Sequence, residues 1–452
     1  MSRYFGTDGI RGRAGRLLAP ELAVRTGYGL AVELSGSARR HTSRRRPFVV
    51  VGHDTRLSAD MLRMALQSGL CLGGVDCLDI GMVPTPVVPQ AVLERAALAG
   101  VMITASHNPV EDNGIKIFGA DGLKLSSATE AAIEAWIDQP GRLSVDDALH
   151  FGHVREEDLS SFYLKQLRQA VRRRGNGSPL SVVLDCANGA TSLLAQRAFT
   201  EAGHSVSVIC NEPDGAKVNV KCGATDLGKL RRAVKSAGAD LGLAFDGDGD
   251  RVLAVDELGR PASGDRIIAL FATRLPRYRR EGGVVMTHMT NMGVEQVLAR
   301  RGVRMLRTDV GDINVMNAMI DNGISLGGEQ SGHIIMRDKA PSGDGILVGL
   351  QLAALLAGSA EPLSRLVDEF TEYPQLLTNL QVKDKQAWVG DRRVNRELEQ
   401  VRSSFANVRF YLRPSGTENV VRVLTESEDR RHCEAGNAAA CAVFNEWSSR
   451  VS

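Results

Sequence analysis

Three segments of the chain repeat one pattern, in which a short apolar run ends in a polar loop and an amphipathic stretch follows. They are PFVVVGHDTRLSADMLRMAL (47–66), LSVVLDCANGATSLLAQRAF (180–199) and GGVVMTHMTNMGVEQVLARRG (282–302). Apolar runs of about four to eight residues favour buried strands, and amphipathic stretches of about ten or more favour helices. Strands that alternate with helices in this way are typical of α/β layers. The sequence therefore predicts three mixed α/β units in series, the first with a helix capped near Ser58.

Two segments rich in Pro and Gly, DQPGRLS (138–144) and DELGRPASGD (256–265), are typical of linkers. Near the end of the chain, NVRFYLRPSGTENVVRVLTE (407–426) predicts two strands around a polar loop, as in a smaller α+β domain. A chain of 452 residues has room for roughly three or four domains. We predict four domains around a central cleft, at residues 1–150, 151–258, 259–371 and 372–452.

Charge and cysteine usage narrow the classes of partner. The net charge of +2 gives no global field that would attract nucleic acid or a membrane surface. About 18 consecutive apolar residues are found nowhere in the sequence, so no membrane-spanning helix is predicted. The N-terminal residues lack the apolar core of a signal peptide. Seven scattered cysteines with no CxxC pair argue against a disulfide framework and a zinc site. We therefore expect a soluble, cytoplasmic protein.

The strongest chemical signal is LGLAFDGDGDRVLAV (241–255), in which Asp246, Asp248 and Asp250 alternate with glycine between two strand-like runs. Carboxylates this close repel one another unless a cation neutralises them, and hard oxygen ligands suit Mg²⁺. An EF-hand would have glycine at the sixth position, where this chain has Arg251, and helices rather than strands on either side. A plain acidic turn is the remaining alternative, and it is a costly way to build a turn.

A second polar loop, TASHNPVEDNGIK (104–116), contains Ser106, whose hydroxyl is a weak nucleophile unless a base, a metal or a transferable group lies beside it. The loop RPSGTENVVR (413–422) combines guanidinium groups, hydroxyls and a glycine, which suits a phosphate cradle. The loop SLGGEQSGHII (325–335) offers donors and acceptors for sugar hydroxyls, and GTDGIRG (6–12) could bind an anion. Taken alone, RPSGTENVVR is more simply explained as a plain turn, and GTDGIRG is equally compatible with a turn. A single histidine such as His333 carries little weight by itself.

Taken together and in this order, the serine loop, DGDGDR, GEQSGH and RPSGTE resemble the motifs of the α-D-phosphohexomutase superfamily, over essentially the whole chain. Within it, FGTDGIRG, TASHNP, NGIKIFG, LGGEQSGHII and YPQLLTNLQV are most similar to the bacterial phosphoglucosamine mutase branch. The resemblance implies an α/β fold with the four-domain phosphohexomutase architecture, three mixed α/β domains plus a smaller C-terminal α+β domain.

The resemblance also implies an isomerase mechanism. Ser106 would carry a phosphoryl group, and one Mg²⁺ would be bound by that group, Asp246, Asp248 and Asp250. The enzyme would interconvert glucosamine 6-phosphate and glucosamine 1-phosphate through a 1,6-bisphosphate intermediate. Besides Ser106, the implied catalytic residues are Lys116, Arg11 and His107. The implied substrate-binding residues are Arg251, Glu329, Ser331, His333, Arg413, Ser415, Gly416, Thr417 and Arg422.

This sequence departs from the pattern of that branch at two places, which leaves the substrate of this chain open. Asn419 stands where the pattern has a proline, and Ile313 with Asn314 stand where it has Arg and Tyr. The alternatives are a phosphomannomutase/phosphoglucomutase, a specialised paralogue acting as a sugar-phosphate phosphatase, and a non-catalytic sugar-phosphate-binding protein. Members of this branch are often homodimers, and nothing in the sequence identifies an interface.

Overall fold

The computed structural model describes residues 3–38, 46–139, 141, 143, 150–171, 178–384, 386–414 and 419–450. The chain divides into two compact units, Met1–Ile268 with Ser325–Val367, and Ala269–Ile324 with Asp368–Ser452. Within the described ranges, no helix is both long and apolar enough to cross a membrane.

The first unit begins with a sheet of seven strands and the helices that cover it. The strands are β1 (Phe5–Gly6), β2 (Gly9–Arg13), β3 (Phe48–His53), β4 (Asp76–Met82), β5 (Ala99–Ile103), β6 (Asp112–Gly119) and β7 (Val154–Glu156). The helices are α1 (Pro20–Ala38), α2 (Ala59–Leu72), α3 (Val87–Arg95) and α4 (Ser127–Asp138). The strand order is β1, β2, β6, β5, β3, β4, β7, so β7 extends this sheet beyond residue 150. Apolar side chains of α1, α2 and α4 pack on the central strands in one core.

A second sheet follows in the same unit. Its strands are β8 (Ser181–Asp185), β9 (Ser205–Ile209), β10 (Leu241–Phe245), β11 (Val252–Asp256) and β12 (Pro261–Ala262), and its helices are α5 (Ser160–Ala170), α6 (Ala195–Glu201) and α7 (Gly228–Ala237). Strand β8 pairs in parallel with β9 and β10, and β10 pairs antiparallel with β11. The predicted helix after β8 is split, because 3-10 turns cover Ala190–Leu193 before α6 begins. The Ala190 N–H donates to the carbonyl of Gly247 at 2.8 Å, which holds this first turn against the loop between β10 and β11.

The remaining part of the first unit contains the hairpin β15 (Leu326–Gly328) and β16 (Ile334–Met336) and the helix α12 (Gly345–Ala357). It also contains the beginning of α8 (Gly264–Arg274), as far as Ile268, and α13 (Leu363–Asp368) up to Val367. Helix α12 is apolar on almost every side and correspondingly buried. Its N-terminus is capped by Asp344, whose Oδ1 accepts from the Leu347 N–H at 3.0 Å and from the Tyr163 hydroxyl at 2.8 Å. Burial raises the pKa of Asp344 to about 6 in spite of these hydrogen bonds.

This buried carboxyl group makes stability depend on pH. Between its ordinary pKa and about 6 the folded protein retains the Asp344 proton that the unfolded chain has released. The contribution of the protonated group is therefore complete below the unfolded pKa and is lost as the pH rises through the folded pKa. We expect the free energy of unfolding of the wild type, relative to Asp344→Asn, to fall by about 2–3 kcal/mol between pH ~4 and pH ~7. Denaturant unfolding of both proteins across this range measures it, and a constant difference would contradict the buried, protonated state.

The second unit contains two groups of elements. The first consists of α9 (Pro276–Glu281), β13 (Gly283–Thr287), α10 (Met292–Arg300), β14 (Arg304–Thr308) and α11 (Asp312–Asp321), with β13 and β14 paired in parallel. The second consists of β17 (Gln375–Gln381), α14 (Arg392–Ser404), β18 (Arg409–Pro414), β19 (Val420–Glu426) and α15 (Arg430–Arg450). Strand β19 lies between β17 and β18, and Trp388, Phe444 and Trp447 belong to the core under this small sheet. The predicted α/β class with a C-terminal α+β part is confirmed.

Candidate active site

Ser106 lies in the loop that joins β5 to β6. Its backbone has φ +53°, a left-handed conformation that is uncommon for a residue with a side chain and is often found at functional sites. The Ser106 N–H donates to the Thr104 hydroxyl oxygen at 2.9 Å, and that hydroxyl donates to Asp54 at 2.6 Å. The Ser106 carbonyl accepts from the side-chain amide of Asn219 at 2.8 Å. The loop is therefore fixed in one conformation by several side chains.

Arg56 contacts the same loop through its guanidinium group. The sequence alone did not identify Arg56 as a residue of the site. Its guanidinium group donates to four carbonyl oxygens, those of Ser106 at 3.0 Å, Asn108 at 2.8 Å, Pro109 at 2.6 Å and Asp112 at 2.7 Å. It also forms an ion pair at 3.2 Å with Asp54, and both side chains are fully buried. Only the planar, five-donor guanidinium group can satisfy so many acceptors at once.

We expect Arg56→Met to lower the free energy of unfolding by about 3–5 kcal/mol, because the substitution leaves the Asp54 carboxylate buried without its cation. Denaturant unfolding measures the loss. The double variant with Asp54→Asn should recover part of it, since the unpaired charge is then gone. A single variant within about 0.5 kcal/mol of the wild type would show that Arg56 does not anchor the loop.

The DGDGD loop joins the antiparallel strands β10 and β11, as the sequence predicted. Its carbonyl groups are fixed by neighbouring segments, since Gly247, Asp248 and Gly249 accept from the N–H groups of Ala190, Thr85 and Gly345 at 2.8–3.0 Å. Two glycines are needed for this path. Gly249 has φ +72°, and a Cβ on Gly247 would lie 2.7 Å from the Ser106 carbonyl oxygen. The two glycines thus allow the acidic loop to lie directly against the serine loop.

The side chains of the two loops meet. The Ser106 hydroxyl donates to Asp246 Oδ2 at 2.6 Å. Asp246, Asp248 and Asp250 are buried, and each offers a carboxylate oxygen within 4.8 Å of the others. Asp248 Oδ1 and Asp250 Oδ1 are buried and have no hydrogen-bond partner among the described residues. Unsatisfied buried carboxylate oxygens at this spacing suit a small divalent cation with oxygen ligands.

Lys116 extends from β6 into the same group of carboxylates. Its Nζ lies 2.8 Å from Asp248 Oδ2, 2.9 Å from Asp250 Oδ2 and 3.2 Å from Asp8 Oδ2, and the side chain is buried. Asp8 also pairs with Arg11 and Lys124, so it links three cations. Asp8 is a second residue that sequence reasoning missed, although it lies within the GTDGIRG motif.

Burial and nearby charges shift the pKa values of the two aspartates Asp246 and Asp250 in opposite directions. Burial, together with the neighbouring Asp250 and Asp248, raises the pKa of Asp246 well above its usual range. Burial alone would also raise the pKa of Asp250, yet the cations around it, Lys116 first, hold it well below that range. Burial opposes the charge of Lys116, but the adjacent carboxylates keep its pKa well above the ordinary value. Lys116 is therefore a charged ammonium group in this arrangement, able to neutralise an anion or to donate a proton.

Arg11, His107 and Arg251 complete the surroundings of Ser106. Arg11 Nη1 lies 3.3 Å from Asn108 Oδ1, and Arg251 Nε lies 3.9 Å from Asp246 and 3.8 Å from Asp250. His107 Nδ1 lies 3.4 Å from the Ser106 hydroxyl. Burial, assisted by Arg251 and Arg11, lowers the pKa of His107 to about 4, so the imidazole is neutral near pH 7.

The GEQSGH loop connects β15 to β16 in the same unit. Glu329 and Ser331 lie at its tip, where the Ser331 hydroxyl donates to Glu329 Oε2 at 3.2 Å, and Ser331 is exposed. His333 is different, because it is buried with Nδ1 3.7 Å from Asp250 Oδ1. Ser331 is thus accessible to a ligand, whereas His333 lies beside one of the three aspartates.

The remaining predicted residues lie in the second unit. Arg413 in β18 is directly opposite Arg422 in β19, so their guanidinium groups extend from the same face of the sheet. Ser415, Gly416 and Thr417, predicted as parts of the phosphate loop, lie outside the described residues.

The residues of both departures, Asn419 and Ile313 with Asn314, are among those that the structure describes. The Asn419 carbonyl accepts from the Val382 N–H at 2.9 Å. Ile313 and Asn314 form the first turn of α11, where the Asn314 side-chain amide donates to the Val310 carbonyl at 3.1 Å.

Known proteins match this chain over most of its length. Four family models of the phosphoglucomutase/phosphomannomutase series match in order, alpha/beta/alpha domain I at residues 2–142, domain II at 161–259, domain III at 263–373 and the C-terminal domain at 377–442. A phosphoglucosamine mutase of Lactobacillus johnsonii is 42% identical over 443 residues, which are 96% of this chain and 97% of that protein.

Two solved structures show the same fold. A phosphoglucomutase/phosphomannomutase family protein of Burkholderia thailandensis aligns with TM-score 0.81 at 23% identity, over 99% of this chain and 98% of that one. The N-acetylphosphoglucosamine mutase of Aspergillus fumigatus, in complex with GlcNAc-6P and magnesium, aligns with TM-score 0.72 at 18% identity, over 99% of this chain and 96% of that one.

Proposed function

Because this chain belongs to the phosphoglucomutase/phosphomannomutase family, we propose that it interconverts glucosamine 6-phosphate and glucosamine 1-phosphate. The enzyme is an isomerase that acts on phosphosugars, and relatives 42% identical over nearly its full length are phosphoglucosamine mutases. The observation that carries the proposal is the Ser106 hydroxyl, 2.6 Å from Asp246 in a group of three buried aspartates. A hydroxyl beside a cation site is suited to accept and return a phosphoryl group.

In the proposed reaction, Ser106 Oγ carries a phosphoryl group and transfers it to the free hydroxyl of the hexosamine monophosphate. The O–P bond to Ser106 breaks as the new bond to the sugar oxygen forms, which gives a 1,6-bisphosphate. The other phosphoryl group of this intermediate then returns to Ser106 after the sugar has turned end over end. Neither step consumes water or a further reactant.

The three aspartates and the Ser106 phosphoryl group are proposed to hold Mg²⁺. The buried Oδ1 atoms of Asp248 and Asp250, which have no hydrogen-bond partner among the described residues, fit that ion. When bound, a divalent cation would neutralise part of the negative charge on the phosphoryl group in transfer. His333, beside Asp250, is then proposed to orient a ligand of the ion, as outer-shell histidines and carboxylates do in other metal sites.

Lys116 is proposed to act on the reacting oxygen. As an ammonium group it can donate a proton to Ser106 Oγ as the O–P bond breaks, and the amine that remains can take the proton that the sugar hydroxyl loses; the return transfer runs in the opposite sense. Arg11 and Arg251, which flank Ser106 and the aspartates, are proposed to bind the equatorial oxygens of the phosphoryl group. With a pKa of about 4, His107 is neutral, so we propose that it acts as a hydrogen-bonding neighbour of Ser106.

The rest of the sugar phosphate needs ligands of two kinds. Glu329 and Ser331 offer an acceptor and a donor for hydroxyl or amino groups of the sugar. For the phosphate that is not being transferred, the proposed ligands are Arg413, Ser415, Gly416, Thr417 and Arg422. Two guanidinium groups side by side on one face of a sheet repel one another, and a bound dianion would relieve that repulsion.

Coupled assays with the 6-phosphates of glucosamine, N-acetylglucosamine, glucose and mannose test the proposal. With Ser106 phosphorylated and Mg²⁺ present, we expect the highest kcat/KM with glucosamine 6-phosphate. A preference for glucose or mannose would assign the chain to the phosphomannomutase/phosphoglucomutase activity instead. Inorganic phosphate released without isomerised sugar would indicate a phosphatase, and no turnover of any substrate would overturn the assignment as a mutase.

A further inference from the structure

We propose that Asp185, Cys210 and Cys222 form a second cation site, suited to a divalent ion that accepts thiolate ligands, such as Zn²⁺. One carboxylate oxygen and the two sulfur atoms all lie within 4.8 Å of one another. Around a tetrahedral zinc ion, sulfur and oxygen ligands lie roughly 3.4–3.8 Å apart, so a small contraction would bring this group to coordination distance. The proposal does not rest on the isomerase reaction, because it is argued from other residues and another class of ion.

The fold brings these three residues together from separate parts of the chain. Asp185 ends β8, and Cys210 follows Ile209, the residue that pairs with Asp185 across the parallel strands β8 and β9. Cys222 directly precedes the 3-10 turn Gly223–Thr225. The group therefore lies at the carboxyl ends of neighbouring parallel strands, where open α/β sheets usually bind ligands. The long separations along the sequence hid this site from a search for closely spaced cysteine pairs.

Asp185 supplies an independent indication that this group suits a cation. Its side chain is fully buried, and Oδ1 accepts from the Ala187 N–H at 3.0 Å. Oδ2 is buried without a hydrogen-bond partner among the described residues. An unsatisfied carboxylate oxygen in the interior is costly, and a bound cation would remove that cost. A disulfide between the two cysteines would leave this oxygen as it is, whereas a cation accounts for all three side chains.

The accessibility of the group allows exchange with solvent. Asp185 and Cys222 are buried, while Cys210 is only partly buried and can form the entrance. Lys229, which is exposed, places its Nζ 3.7 Å from Cys210 Sγ, at the edge of the cluster. Its flexible side chain can move into solvent when a divalent ion binds. Soft thiolate ligands favour zinc over magnesium, so the two sites would select different ions.

Occupancy of this site would act on the serine loop through a short chain of contacts. The Cys210 carbonyl accepts from the Asn188 N–H at 2.7 Å, and the Ala187 carbonyl accepts from the Asn219 N–H at 3.0 Å. Asn219 lies between the two cysteines in sequence, and its side chain donates to the Ser106 carbonyl. A cation bound to Cys210 and Cys222 would therefore fix both ends of the segment that supplies this donor.

Titration of the reduced, metal-stripped protein with Co²⁺ in excess Mg²⁺ tests the site. Absorption from charge transfer between sulfur and cobalt reports thiolate ligands, which the aspartate group cannot supply. We expect this absorption to saturate at one equivalent and to disappear when Zn²⁺ is added. Cys210→Ser and Cys222→Ser should each weaken binding at least about tenfold. The control Cys441→Ser, a partly buried cysteine elsewhere, should bind as the wild type does.

Three results would overturn the proposal. One is the absence of charge-transfer absorption in protein whose thiols are shown to be reduced. Another is absorption that survives in both cysteine variants. The third is a Cys210–Cys222 disulfide, found by mass spectrometry of the purified protein, together with no binding of Co²⁺ after reduction. The variant Asp185→Asn keeps both thiols. It should bind Co²⁺ more weakly than the wild type does, yet show the same sulfur-to-cobalt charge-transfer absorption at saturation.

Discussion

Replacing Ser106 with alanine should lower turnover of glucosamine phosphates by roughly 10⁴-fold or more, because the variant has no atom that can carry the phosphoryl group. The loss should fall on kcat, while the fold is retained. The deleted hydroxyl donates one hydrogen bond, to Asp246 at 2.6 Å, so the free energy of unfolding should change by only about 1–2 kcal/mol. Coupled assays beside denaturant unfolding separate the two effects.

A matched control is Ser403→Ala, which removes an exposed serine hydroxyl that donates within helix α14. Its activity should equal that of the wild type. If Ser106→Ala kept more than about a tenth of the wild-type activity, the phosphoryl group would have to travel through another residue, and the proposed role of Ser106 would be wrong.

Replacing Lys116 with methionine should have two linked effects. Activity should fall by about 10²–10⁴-fold, the range expected for the loss of a group that transfers a proton or neutralises a transferring phosphoryl group. In the absence of metal, the free energy of unfolding should fall by about 3–5 kcal/mol, because Asp8, Asp248 and Asp250 lose the buried cation that contacts all three.

Mg²⁺ should stabilise this variant more than it stabilises the wild type. In the wild type an arriving cation competes with the Lys116 ammonium group for the same carboxylates, whereas in the variant it meets no competitor. Thermal unfolding against Mg²⁺ concentration measures the difference, and Lys116→Arg, which keeps the charge, should remain close to the wild type in stability. Equal stability of wild type and Lys116→Met without metal would show that the ammonium group does not neutralise the aspartates.

Local patterns in the sequence were sufficient to predict the elements that carry the site. Strands β5 and β10 are continuous apolar runs, and the polar loops that follow them contain Ser106 and Asp246. Such runs predict buried strands because burial on both faces leaves no room for polar residues. The position of the acidic loop between two strands was predicted for the same reason.

Contacts between distant segments could not be predicted in this way. Arg56 follows β3 and holds the serine loop, yet nothing near it in sequence signals a buried cation. Asp8 and Lys116 meet because β2 pairs with β6, which is a property of strand order rather than of either motif. His333 was expected among the substrate-binding residues from the family resemblance, and only the approach of its loop to Asp250 reveals its proximity to the aspartates.

The most direct test of the central claim follows the phosphoryl group itself. Protein carrying a radiolabelled phosphoryl group on Ser106 is mixed with unlabelled glucosamine 6-phosphate, and the products of the first turnover are separated. The account predicts that the label moves from the protein to the sugar and is found in glucosamine 1-phosphate, with unlabelled phosphate now on Ser106. Label released as inorganic phosphate, or retained on the protein while the sugar is isomerised, would contradict it.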